Sequence, residues 1–546
     1  MAELAYGARV AMDPIGLSVS YVDVGTGDLC AEEREGFASF SDESLAVEAS
    51  FDGEVIEIAV TAGAPVRLKS VVTRLRHAFS SDEMVLMNGF QSWTDTREMP
   101  AWERMKGLRG VPNAVVERWA IDGGGDYADV VYSGRRGEQH GFTYATFRRG
   151  EGMVLLGSLD ESHGLTLIRA NANVGEVTLD SGCPLRDLEA GERVVLGRYA
   201  ICRGVLDECY DRWFELSGVR ARPIKPLVGY TSWYRHYGDI DERKLLRDLA
   251  GMRPSGRDFL TDLFQVDDGY CKVGDWFDVD VEKFPRGMKA LADASRAAGF
   301  LPGLWVAPFV CERDSRVFRE RPEWLLRGED GEPVRSGPQW SGGYALDTRN
   351  EEVRSYVLDV LRTITQEWGF GLLKVDFLYA ACMKSHDGLN RGELMADAME
   401  LLRQGVGEDV LLLGCGVPLG SAFGIVDYCR IGCDVGLDWN DKPRMWLLHR
   451  ERVSTKHSLT STYYREPLDG RAFGNDPDVF FLRDEVKLSD AQRDELLFAD
   501  ADSGSVFLTS DDRGAWSDAQ NARYEMALKV FVERHENGRF AEVHHG

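Results

Sequence analysis

The chain has 546 residues, with 64 Lys+Arg against 90 Asp+Glu and a formal net charge of −26 at neutral pH. That length exceeds one ordinary domain and points to two or three, and a hydrophobic content of 44% is enough for substantial cores. The negative field repels nucleic acid and anionic membrane surfaces and suits a neutral or cationic small partner. No apolar run reaches transmembrane length, and residues 1–16 lack a basic-then-apolar leader. The 10 cysteines are scattered, without a CxxC pair, which predicts reduced core thiols and a cytoplasmic location. No HExxH pattern, paired CxxC cluster or GxxxxGK[ST] loop occurs, so neither a zinc site nor a phosphate-binding loop is expected.

Residues 1–221 read as an antiparallel β-sandwich domain. Short alternating or β-branched runs recur at 44–51, 54–60, 67–75, 153–159, 165–171 and 193–202, separated by Gly, Asp and Asn clusters. The stretch NGFQSW at 88–93 interrupts them. Its Asn-Gly pair predicts a tight turn with partly exposed aromatics.

The pattern changes at RPIKP, residues 222–226. Apolar strands then alternate with helical segments. Strands are predicted over 226–233, 261–270, 301–309, 371–378, 409–416 and 426–434, and DVFFL at 478–482 can close the series. Helices are predicted over 241–252, 286–299, 351–368, 391–405 and 442–455. Strands buried on both faces and separated by helices indicate parallel β/α architecture, best matched by a (β/α)8 TIM barrel over 222–484. No GxGxxG follows the first strand, against a dinucleotide fold. Residues 485–546 read as a mainly helical segment completing or packing on the barrel.

Aligning the strands at their C-terminal ends gathers polar residues where a β/α barrel keeps its chemistry. The ends carry Trp233, Asp267 and Asp268, Trp305, Lys374 and Asp376, Cys415, and Arg430 with Asp434. Lys374 and Asp376 stand at i and i+2 and so share one strand face. Each residue has a plainer reading. Asp267-Asp268-Gly269 suits an ordinary strand exit, Trp305 suits barrel core, Cys415 suits a small core position, and Lys374–Asp376 or Arg430–Asp434 suits a structural ion pair. Gathered at successive strand ends, four carboxylates, two cations and indole rings fit a sugar. Two of the carboxylates could cleave a glycosidic bond, one attacking C1 and the other protonating the leaving oxygen.

The motifs VDDGY (266–270), GDWFDVDVEKFPRGM (274–288), GLWVAPF (303–309), LLKVDF (372–377) and RIGCDVGLDW (430–439) carry a resemblance to glycoside hydrolase family 36, the α-galactosidases of clan D. NGFQSW resembles a loop of that family's N-terminal sandwich that reaches over the active site. The resemblance implies a retaining exo-α-galactosidase acting on small oligosaccharides or glycoconjugates, with no cofactor or metal, and a homo-oligomer (dimer or tetramer). It implies Asp376 as nucleophile and Asp434 as acid/base. Asp267 and Asp268 would bind galactose hydroxyls, Lys374 and Arg430 would hold hydroxyls around the nucleophile, and Trp305 and Trp93 would wall the pocket. Trp233 and Cys415 complete the expected substrate-binding set. The loop GCGVPLGSAFG at 414–424 departs from the family's Cys-Ser-Ser-Gly-Gly stretch, which meets the C2 substituent, so an α-N-acetylgalactosaminidase stays open. So do a raffinose-synthase-like galactosyltransferase and a non-catalytic sugar-binding protein. The family's C-terminal β-domain is expected to be absent or much reduced.

Overall fold

A computed structural model describes residues 12–108, 124–126, 130–182, 186–439 and 449–537. The N-terminal part consists of two antiparallel sheets of seven and eight strands. The predicted runs at 44–51, 54–60 and 67–75 form Leu45–Phe51, Val55–Ala62 and Val66–Arg76. Alternation along them puts one face inward. Leu17, Val19, Val71 and Leu75 of one sheet share a buried cluster with Ile56, Ile58, Val154 and Leu156 of the other.

The second part is a curled parallel sheet of nine strands. In chain order these are β1 (Leu227–Thr231), β2 (Thr261–Val266), β3 (Leu301–Val306), β4 (Leu372–Val375), β5 (Leu411–Gly414), β6 (Tyr428–Arg430), β7 (Gly474–Asp476), β8 (Val479–Phe480) and β9 (Val506–Thr509). Pairing runs β7-β6-β5-β4-β3-β2-β1-β9-β8, and every pair is parallel. This is the TIM-like arrangement. Helices Glu242–Gly251, Gly287–Ala297, Glu351–Arg362 and Arg391–Val406 occupy the predicted connections. The helix predicted over 442–455 falls mostly on residues outside those described; a single turn at 449–451 precedes helix Thr455–Arg465. β9 was not expected. It is only four residues, VFLT, within a stretch dominated by helices Asp490–Ser503 and Asp518–Asn537, too short for a periodic signal. Among the described residues no strand follows it, and no helix is long and apolar enough to cross a membrane.

NGFQSW is not the exposed turn its Asn-Gly pair predicts. Asn88, Phe90 and Ser92 are buried, and Phe90 packs edge-on against Phe142 with the Arg391 guanidinium over its ring. The reason is tertiary: Arg465, fully buried in the barrel part, donates to Asn88 Oδ1 (3.0 Å), Ser92 O (2.6 Å), Gln91 O (3.3 Å) and Ile431 O (2.9 Å). Ser92 N–H donates to Val417 O, and Ser92 Oγ accepts from Gly416 N–H, both at 2.9 Å. These bonds pin a loop of the N-terminal domain over the C-terminal end of the parallel sheet.

Candidate active site

Beyond β4 the chain turns sharply. Phe377 adopts a left-handed backbone, φ 55°, sparsely populated for an aromatic residue and the kind of strain concentrated at functional sites. The turn brings Phe377 N–H onto Asp376 Oδ1 at 2.8 Å. The other oxygen accepts from Trp305 Nε1, also at 2.8 Å. Strand register explains this second bond. Trp305 of β3 lies beside Lys374 of β4, and Asp376 projects two residues further along the same face. Trp305 is itself fixed by Trp276 and Trp340, with ring centroids at 5.8 and 6.2 Å.

Lys374 does not form the ion pair with Asp376 that sequence adjacency suggests. Its Nζ donates to Asp267 Oδ2 at 2.8 Å, because the end of β2 reaches across to it. Asp267 also accepts from Gln265 Nε2 at 3.1 Å. Burial pulls the Lys374 ammonium down, yet Asp267 and Asp376 together lift it above the usual lysine range. Burial raises the Asp376 carboxyl above its ordinary value, while Lys374, the Trp305 N–H and the Phe377 N–H draw it back toward the anion. Asp268 takes a hydrogen bond from Trp340 Nε1 at 2.7 Å. Burial, aided by Asp267 and Glu312, pushes its carboxyl up to about 6 against that donor.

Asp434 is more open, with 42% of its side chain exposed, and Oδ1 accepts from Arg430 Nη2 at 2.7 Å. A cavity of about 580 Å3 joins these groups, within the roughly 300–1,000 Å3 typical of small-molecule sites. Trp93, Trp233, Asp267, Asp268, Trp305, Lys374, Asp376 and Asp434 all line it. Two expected substrate-binding residues do not. Cys415 lies buried behind the wall, its Sγ accepting from Trp93 Nε1 at 3.1 Å; Cys433 lines the cavity instead. Arg430 is 1% exposed and stands behind Asp434, bound to carboxylates.

Sequence reasoning missed Trp340, Tyr379, Gln91, Gly124 and Glu451, all of which line the cavity. Trp340 and its GPQWSGG context sit in the long connection between β3 and β4, and that length was the available signal. Glu451 accepts from Thr94 Oγ1 of the N-terminal part at 3.0 Å. Burial and the charge of Asp126 push its carboxyl up to about 8, so it carries a proton at neutral pH and can donate to a ligand. Nothing in its sequence neighbourhood marks it.

The cavity presents two carboxylates in unlike surroundings. One is buried, pinned through both oxygens and close to a lysine; the other is open to solvent and held by an arginine. That asymmetry is what acid–base and nucleophilic roles require.

Comparison with known proteins follows the same lines. Residues 219–386 match the melibiase family. The α-galactosidase Mel36A of Lactobacillus acidophilus is 26% identical over 182 residues, 32% of this chain and 23% of that protein. The A type blood α-D-galactosamine galactosaminidase of Flavonifractor plautii is 32% identical over 124 residues, 21% of this chain and 11% of that protein. The matched stretches thus span less than a quarter of either relative. Among solved structures, TtGalA, an α-galactosidase from Thermus thermophilus in complex with stachyose, superposes with TM-score 0.70 at 28% identity, covering 90% of this chain and 99% of that one. The GH36 α-galactosidase AgaA from Geobacillus stearothermophilus gives TM-score 0.59 at 12% identity, covering 95% and 76%, a likeness of fold.

Proposed function

We propose that the chain is a member of glycoside hydrolase family 36 and a retaining exo-α-galactosidase of small oligosaccharides or glycoconjugates. The observation that carries the reading is the unlike pair at the cavity, Asp376 pinned by Trp305 and Phe377 N–H and Asp434 half open on Arg430. In this reading an Asp376 oxygen attacks C1 of the terminal galactose. The C1–O bond to the leaving group breaks as Asp434 delivers its proton to the departing oxygen. A galactosyl ester on Asp376 remains. Asp434, now a carboxylate, takes a proton from water as its oxygen bonds C1, and the ester bond breaks to release α-galactose and restore both carboxyl states. Lys374, Trp305 and the Phe377 amide favour the Asp376 anion in both halves of the cycle. In the same reading Asp267 and Asp268 accept from galactose hydroxyls. The indoles of Trp305, Trp340 and Trp93 offer faces for its C–H surface.

The 414–424 loop bears on the choice between galactose and N-acetylgalactosamine: it packs on the Trp93 indole, where a Cβ at Gly416 (φ 62°) would meet the ring at 2.9 Å. Turnover of paired p-nitrophenyl α-galactoside and α-N-acetylgalactosaminide tests this choice, and product analysis at high acceptor concentration separates hydrolysis from galactosyl transfer. For the mechanism, NMR of the first-formed anomer is expected to show α-galactose. D376A is expected to lose activity on the order of 10^4-fold or more. β-Galactose as first product, or full activity of D376A, would sink the assignment.

The same reading treats β7 and β8, two residues apart at Pro477-Asp478, as halves of one strand, which closes an eight-stranded barrel. It keeps the division at 1–221, 222–484 and 485–546, with the last segment contributing β9. The nine described cysteines are all free thiols, which supports a reducing, cytoplasmic location. Assembly as a dimer or tetramer rests on the family resemblance, and light scattering reads it directly.

A further inference from the structure

Behind Asp434 lies a cluster that the catalytic reading leaves unused. Arg430 Nη2 serves two carboxylates at once, Asp434 Oδ1 at 2.7 Å and Asp478 Oδ2 at 2.5 Å. Arg430 Nε is buried without a partner, so the sharing falls on one nitrogen. The same Asp478 oxygen accepts from Val435 N–H at 2.9 Å, the amide directly after Asp434, and from the Tyr234 hydroxyl. Asp478 holds a left-handed backbone, φ 95°, and donates its own N–H to Asp476 Oδ1 at 2.9 Å. Asp478 is buried, whereas Asp434 faces the cavity.

We propose that Asp478 is a positioning residue for this reaction: it competes with Asp434 for the single guanidinium of Arg430 and so allows Asp434 to carry the proton it must deliver. The inference rests on Asp434 being the acid/base. An arginine bound to Asp434 alone would favour its carboxylate and oppose protonation. With Asp478 on the same nitrogen, whichever of the two is ionised takes the guanidinium. When Asp434 gives its proton to the leaving oxygen, Arg430 is in place to stabilise the new carboxylate. When Asp434 recovers a proton from water, the charge of Arg430 returns to Asp478. The Val435 amide bond holds the backbone beside Asp434 still meanwhile.

The surroundings agree. Around the pair stand Tyr234 and Tyr237 after β1, Lys374 of β4, Cys415 after β5, Cys433, Asp476 of β7 and Asp500 of helix Asp490–Ser503. Burial, opposed by Arg430 and reinforced by Asp434 and Asp476, pushes the Asp478 carboxyl up to about 7. Both Asp500 oxygens are buried without a hydrogen-bond partner, so neither bonds Arg430, and burial raises that carboxyl well above its usual range.

The test is the pH profile of kcat/KM for D478N on melibiose, whose leaving group needs a proton, and on a dinitrophenyl α-galactoside, whose leaving group does not. Asn keeps the shape of Asp but removes the competitor. The alkaline limb on melibiose is expected to move down by about one pH unit, a roughly tenfold loss above the limb, with the dinitrophenyl profile unmoved. Y234F, which removes one donor to Asp478 and so weakens its anion, is expected to shift the melibiose limb in the same direction by less, and it covers the case in which D478N fails to fold. An unmoved melibiose limb, or parallel losses on both substrates without a shift, overturns the inference. D434A separates the premise: melibiose turnover surviving in D434A overturns the acid/base reading itself, whereas a dead D434A beside an unshifted D478N overturns only the role of Asp478.

Discussion

Replacing Trp305 by Phe removes the indole N–H that donates to Asp376 and leaves a smaller aromatic ring in its place. The indole N–H lies 2.8 Å from Asp376 Oδ2, a charge-assisted bond when the carboxylate is ionised, worth about 1.5–3 kcal/mol. Phe keeps an aromatic ring against Trp276 and Trp340, so the expected loss is the bond and part of the packing. Losing the donor should raise the Asp376 carboxyl further above its ordinary value, since the Trp305 N–H is one of the groups that hold it down. The sign follows from which form the donor favours. Trp305 N–H stabilises the anion, so without it more alkaline conditions are needed to ionise Asp376. The acid limb of kcat/KM must therefore move to higher pH. At pH values between the old and new limbs, activity should fall about 10–100-fold. At higher pH, where Asp376 is ionised in both proteins, the residual loss reflects weaker orientation of the nucleophile. Measurement needs kcat/KM of both proteins on an aryl α-galactoside from pH 4 to 8, with circular dichroism to confirm folding. An acid limb that stays in place, with kcat/KM within twofold throughout, would refute the idea that Trp305 tunes the nucleophile.

Other predictions concern the supports of the site. R465A strands four oxygen acceptors in a buried interface and is expected to cost about 3 kcal/mol or more, read as a lowered midpoint in chemical denaturation together with reduced kcat/KM; an unchanged midpoint would show that the loop does not depend on this clamp. E451A removes from the cavity wall a carboxyl that burial and Asp126 push up to about 8 and should lower kcat/KM on raffinose by about 3–10-fold, whereas unchanged kcat/KM would show that Glu451 does not contact substrate. Glu161, buried between Thr143 and Thr166, is pushed by burial from 4.5 to about 7. Its folded form binds the proton more tightly than the unfolded chain, so stability declines as pH rises from about 4.5 to 7, by about 3 kcal/mol in all. E161Q should flatten that slope in thermal melts across pH 5–8, and an equally steep slope in the variant would contradict the assignment.

The strands and their chemistry were legible because parallel β/α architecture carries strong local signals. LLKV is short and buried throughout, LPGLWV is buried at all but its first residue, and LLKV runs directly into Asp376 at the C-terminal rim. Strand-end position alone gathers Trp305, Lys374, Asp376, Asp267 and Asp434, and all five line one cavity. β9 was not legible, because four apolar residues between two helices look the same whether they enter a helix, a loop or a strand.

Partnership is a different matter. Lys374 and Asp376 are two residues apart, yet Lys374 bonds Asp267, 107 positions earlier. Arg430 and Asp434 suggest a simple local pair, yet Asp478 shares the same nitrogen. Cys415 reads as a pocket residue, yet Trp93 from another domain covers it. Periodicity along the chain tells which face a side chain takes and at which end of a strand it lies. Which neighbour it meets there depends on how strands align and which loops cross the rim, and those distances are established only when the chain closes on itself.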